Sequence, residues 1–158
     1  MANLVCNIAK GRINELYKRV KNNDPANSAF IIVLLKVAEV DATLIDYDDL
    51  GTLIAGANTE ADFTNYARKV ITDVELAAIP APDDSGDTLG VDLPDQIYTS
   101  AGGATNNTMV KALICYDSDT TAGTDTNIEV LTIHDYTPTT TGVDLPLNID
   151  PLGWFSAA

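Results

Sequence analysis

Apolar residues recur at Ile13, Leu16, Tyr17 and Val20, the i, i+3, i+4, i+7 spacing, with Ala9 one turn earlier on the same stripe. That period predicts an amphipathic helix over residues 4 to about 21. Lys10, Asn14, Lys18 and Lys21 fall elsewhere on the wheel, and Asn22-Asn23-Asp24-Pro25 ends it. Proline keeps the residue before it out of helical geometry and has no N–H to give. The period then changes. Ala29–Val37 is apolar at both parities and rich in branched side chains, as suits a strand buried on both faces, one of them under the helix.

Residues 41–49 are acidic and broken, and Leu50, Leu53 and Ile54 make a short helical stripe before Gly56. Residues 68–72 and 74–79 are expected as strands and 80–87, rich in Pro, Asp, Ser and Gly, as a loop. Beyond it, 91–98, 109–116, 127–133 and 143–149 are short β-type segments separated by Thr, Gly, Asn and Asp. Twelve threonines lie between Thr99 and Thr141, and their branching favours extended backbone. No helix-length segment separates the late strands, which argues against βαβ units. The expected fold is mainly β with an N-terminal helix (α+β), the body an antiparallel β-sandwich or barrel. Residues 1–25 would form an N-terminal arm and amphipathic helix, and 26–158 a single β-rich domain.

Charge adds an asymmetry. The 158 residues carry 9 Lys+Arg and 23 Asp+Glu, a net charge of -14. Residues 1–21 hold Lys10, Arg12, Lys18, Arg19 and Lys21 against Glu15 alone, a net of +4, which leaves -18 on the rest. An acidic body repels nucleic acid and anionic lipid; the basic N-terminus is where a negatively charged neighbour docks, unless it is only a solvated helix face. No apolar run approaches the roughly 18 residues that span a bilayer, and no charged region precedes a leader-like apolar stretch, so a soluble protein without a cleaved export signal is expected.

Candidate chemistry is sparse. His134-Asp135 ends a predicted strand and Cys115 lies on the strand before it; a cysteine nucleophile would need thiol and imidazole within hydrogen-bond reach and an oxyanion site. A structural histidine is the expectation. Asp117, Asp119 and Asp125 match positions of a calcium loop, but Ala122 stands where glycine belongs and Ile128 where a bidentate glutamate does. A polar hairpin connection without metal is expected there, and no cofactor anywhere. Cys6 and Cys115 are expected as free thiols, with a disulfide between them as the alternative.

The segments Leu93-Pro-Asp-Gln-Ile-Tyr-Thr-Ser100, Ala112-Leu-Ile-Cys-Tyr-Asp117, Glu129-Val-Leu-Thr-Ile-His-Asp-Tyr136 and the closing Leu145-Pro-Leu-Asn-Ile-Asp-Pro-Leu-Gly-Trp-Phe155 carry a resemblance. With Gly11-Arg12, Asp24-Pro-Ala-Asn-Ser-Ala29 and Asn65-Tyr-Ala-Arg68, they make the chain similar to small virion structural proteins of tailed bacteriophages. The resemblance implies no enzymatic role. It implies a β-sandwich-like body on the virion, first as a capsid decoration (cement) protein on the outer head surface, made in the bacterial host. Its partners would be the major capsid protein and copies of itself, trimer before dimer. A tail, neck or fibre-associated protein is the second reading, and a carbohydrate-binding module a third that needs exposed aromatics. Contact with capsid or subunit would fall to Lys10, Arg12, Lys18, Arg19 and Lys21, to the arm ahead of them, and to Trp154 and Phe155 near the other end, although packing of both aromatics in the chain's own sandwich is the slightly favoured reading for that pair.

Overall fold

A computed structural model describes residues 3–79, 89–149 and 154–157. The centre is a six-stranded antiparallel sheet in the order β1-β8-β7-β2-β3, with β4 also paired to β2. Its strands are β1 Asn3–Val5, β2 Ala29–Val37, β3 Thr59–Glu60, β4 Lys69–Ile71, β7 Lys111–Asp117 and β8 Ile128–Asp135. Two smaller ribbons stand apart from it: β5 Leu89–Val91 with β10 Phe155–Ala157, and β6 Gln96–Ala101 with β9 Val143–Leu147. The fold is thus mainly β, antiparallel and α+β. What covers the sheet is helices and ribbons.

β2 organises the core, its first seven residues all buried. Phe30 and Ile32 point to one face, where they meet Ile114 and Tyr116 of β7 and the stripe Ile13, Leu16, Tyr17 and Val20 of α1 (Ile13–Lys21). Ile31, Val33 and Leu35 point to the other, onto Leu113 and Cys115, under α2 (Asp41–Leu44) and α3 (Leu50–Ala55), which bring Leu44, Leu50 and Leu53. Leu34 and Ala112 continue the first face beneath the β6–β9 ribbon, against Phe63, Tyr98 and Met109. A strand sandwiched this way has to be apolar at both parities, the pattern its sequence carries. Each fully buried large side chain contributes roughly 1.5–3 kcal/mol.

Three local expectations are corrected. The first helix starts at Ile13 and not at residue 4: residues 3–5 pair with β8, and Asn7–Ala9 is a single 3-10 turn. Gly11, at φ +79°, breaks the helical path between them. Ala9 still lands in the same core as the helix stripe. The N-terminal arm is accordingly an edge strand of the sheet over its described part. Residues 74–79 are not a strand, because Asp73–Leu76 is a fourth helix, α4. Thr72 and Glu75 form a reciprocal capping box at its start, which meets the orphan N–H groups of the first turn. The expected strand 91–98 is two, β5 and β6, parted at Pro94, which has no N–H for a ladder. The expected loop 80–87 lies outside the described residues.

Candidate functional site

The charged side of α1 is the site the sequence singles out, and the structure sorts its cations by what holds them. The apolar stripe is spent on the chain's own sheet, so the side chains left outward are Glu15, Lys18 and Arg19. Arg19 pairs with Glu15 one turn back, Nη2 to Oε1 at 2.8 Å, an exposed i,i+4 contact that solvent screening leaves with little effect on stability. Lys18 is exposed and has no ion pair among the described residues. Lys21 is half-buried and donates from Nζ to the Ile79 carbonyl at 2.9 Å, tying the helix end to the segment after α4. Arg12 turns inward and grips Glu129 of β8 with both terminal nitrogens, 2.7 and 3.3 Å. Lys10 sits on the turn before the helix and donates to Asn7 Oδ1 at 2.7 Å, while Asn7 donates to Asp46 at 2.6 Å.

The five cations are therefore not one patch. Lys18 and Arg19 face solvent together, Lys10 lies beside the acidic 41–49 segment, and Arg12 and Lys21 hold the helix to the body. The four cations further along are all engaged. Lys36 meets Asp62 at 2.6 Å. Arg68 is clamped by Glu60 and Asp125, both at 2.7 Å. Lys111 lies between Asp41 and Asp135, both at 2.6 Å. Lys69 stands over the Tyr98 ring, 4.9 Å from its centroid. Outward positive charge is left on α1 and the turn ahead of it.

At the other end of the chain Trp154 is in its own core, 9% exposed. Its ring meets Phe30 edge-on with centroids 5.1 Å apart, and its Nε1 donates to Thr132 Oγ1 at 2.8 Å. For Trp154 the structure thus has the own-core placement that was the favoured of the two expectations, and not a ring held out to a neighbour. Phe155 begins β10, opposite Val91.

The Cys115–His134–Asp135 arrangement is not assembled. Cys115 is directed to the face under α2 and α3, whereas His134 shares a register position with Ala112 on the opposite face. His134 Nε2 meets Thr132 Oγ1 at 2.8 Å, and Asp135 accepts from Lys111. Both cysteines are buried free thiols. They flank β8 on one face, Cys6 donating its N–H to Leu131 and Cys115 in register with Val130. Two inter-strand spacings of about 4.8 Å put them beyond disulfide reach. Burial pushes the Cys6 thiol up to about 12 and Cys115 higher still, which removes the thiolate that reactivity requires.

The β7–β8 loop encloses an open groove of about 260 Å³ lined by Asp117, Thr120, Thr121, Thr124 and Asp125. Its carboxylates are used internally. Asp117 accepts from the Asp119 N–H at 3.0 Å, Asp119 from Thr121 N–H and hydroxyl at 3.0 and 2.6 Å, and Asp125 from Arg68. Among the described residues no three His, Cys, Asp or Glu converge to hold a metal ion. Every aromatic side chain described is buried or half-buried, so those rings build no open sugar-stacking face. No described helix is long and apolar enough to cross a membrane.

Sequence reasoning missed Arg68 and Lys111, the two cations with the most organised surroundings. No local signal marks them: Lys69 adjoins Arg68, no acidic residue lies within five positions of Lys111, and each is held by a carboxylate distant in sequence, Asp125 and Asp41. Comparison of the chain with protein-family models, with curated proteins and with solved structures finds no match in any of the three.

Proposed function

We propose that this protein is a capsid decoration (cement) protein of a tailed bacteriophage, binding the outside of an assembled head shell and stabilising it. The observation that carries the reading is the segregation of charge: on a chain of net charge -14, outward cations are left on α1 and its leading turn, at Lys10, Lys18 and Arg19. Strong net negative charge keeps many copies soluble and apart before docking. A local positive face then steers the molecule onto an acidic partner surface in one orientation. Binding stabilises the shell by mass action, because a ligand that prefers the intact lattice lowers its free energy relative to the open one. The capsid protein is the principal partner; association with copies of itself, three before two, follows the phage resemblance.

The test is to mix the purified protein with expanded capsids lacking it and image the particles by cryo-electron microscopy. Density repeated over the shell lattice, with α1 at the contact, is expected. The double variant Lys18→Glu/Arg19→Glu should lower occupancy by about tenfold while folding normally, as exposed charges contribute little to stability. Protein found only at the portal or along the tail would replace this reading with that of a tail or neck component. Truncating residues 1–21 is not a clean test, since Ile13, Leu16, Tyr17 and Val20 belong to the chain's own core.

A further inference from the structure

We propose that Glu15 gates the basic side of α1: it occupies the Arg19 guanidinium until a carboxylate of an acidic partner protein displaces it, and Lys18 makes the first contact. This role rests on the reading of α1 as the side that docks. Glu15 is the one acidic residue among positions 1–21. It stands one helical turn before Arg19, where i,i+4 side chains meet. Its Oε1 accepts from Arg19 Nε at 2.9 Å and from Nη2 at 2.8 Å. The hydrogen bond to Glu15 is the first cause that holds the Arg19 guanidinium above its ordinary pKa. Lys18, on the same outward side, is exposed and makes no ion pair among the described residues.

A guanidinium pairs with a carboxylate in the same way whether that carboxylate belongs to the chain or to a partner, so Glu15 and a docking surface compete for one group. Both side chains are about half exposed, 48% for Arg19 and 56% for Glu15. Solvent screening leaves such a pair weak, so a well-placed partner carboxylate exchanges with Glu15 at little cost. Arg12 and Lys21 are not released in this way, because Arg12 is on Glu129 and Lys21 on the Ile79 carbonyl.

A diffuse negative field gains less from α1 than a matched carboxylate does. Lys18 and Arg19 alone would carry +2 outward, and with Glu15 beside them the sum is +1. That difference counts on a chain whose residues beyond 21 carry -18, since every other copy in solution is itself an acidic surface. Glu15 thus lowers the attraction of α1 for the wrong partner while leaving Arg19 available to the right one, and specificity is that difference of affinities.

Hexaglutamate serves as the acidic probe, titrated into isotope-labelled full-length protein at about 0.05 M salt, where screening is modest. The Arg19 Nε–H and the Lys18 and Arg19 amide resonances are followed by NMR. Shifts centred on α1 are expected in the wild type, and Glu15→Gln should bind about twofold to fivefold more tightly. Glu15→Ala should match it, because both remove the carboxylate. Loss of any negative charge favours an anionic ligand, so the deciding comparison is made in the Arg19→Gln background. There Glu15→Gln should change affinity by less than about 1.5-fold. Each variant is expected to keep the wild-type far-UV circular dichroism, since the pair is exposed. No shift at α1, an unchanged or weaker affinity in Glu15→Gln, or an equal gain in the Arg19→Gln background would each overturn the gate. Capsid imaging separates this role from the docking reading. Bare capsids beside the expected peptide result would remove the cement reading alone, and lattice-wide binding with no effect of Glu15→Gln on the peptide would remove the gate alone.

Discussion

Arg68 shows how one cation serves an acidic chain. Its guanidinium joins Glu60 of β3 to Asp125 at the entry of β8, and the two carboxylates together raise its pKa while it holds that of Asp125 down. Arg68→Met should cost about 1–3 kcal/mol, less than a fully buried pair because the site is partly open. The check is the urea midpoint. A carboxyl with a depressed folded pKa adds stability above its unfolded value and loses it as pH falls through the folded one. The acid limb of the stability–pH curve should therefore flatten in Arg68→Met. The thiols make a second residue-scale case: Cys6 and Cys115, buried with raised pKa, should react with an aromatic disulfide reagent only as the protein unfolds. Fast labelling of the native protein would contradict their placement.

Two of the short helices are started by an identifiable capping residue. The Thr72/Glu75 box starts α4, and Asp49 caps α3 by accepting the Thr52 N–H at 2.7 Å. Removing either cap, as in Thr72→Ala or Asp49→Ala, should cost about 1 kcal/mol in thermal or urea unfolding. Much more hangs on α1. Leu16→Ala should cost about 2–5 kcal/mol, because Leu16 is fully buried against the sheet. The same packing explains why the helix spends its apolar side on its own sheet and leaves Lys18 and Arg19 exposed. Helical period placed the stripe correctly from Ala9 onward, but residues 3–5 satisfy a strand as well as a helix on local pattern alone. Their partner, β8, lies about 130 positions away, and no local signal carries that pairing.

At the scale of the whole molecule, charge and layering set the behaviour. Steering by an exposed positive face fades with ionic strength, so the capsid binding we propose should weaken from low salt to about 0.15 M, where the Debye length is about 8 Å. The core ion clamps should be far less salt-sensitive, and a urea midpoint that fell in parallel with binding would show that salt acts on the fold and not on docking. The open edges of the sheet are short, three residues in β1 and two and three in β3 and β4, which limits strand addition by other copies. On the β6–β9 ribbon, Ile97 is 54% and Val143 66% exposed.

Local pattern was enough for the buried strand β2, the core stripe of α1, the late antiparallel strands and the charge asymmetry, because each is written in the spacing or composition of neighbouring residues. Tertiary structure decided which cations stay free, since an ion pair such as Arg12–Glu129 joins positions 117 apart in sequence. It also decided the fates of Trp154, Cys115 and His134. Burial and face are properties of the assembled sheet: a strand alternates its side chains, but only pairing says which side of the sheet each one meets. Trp154, which local sequence leaves open between a neighbour and its own core, is settled by β8 and β2, which supply Thr132 for its N–H and Phe30 for its ring.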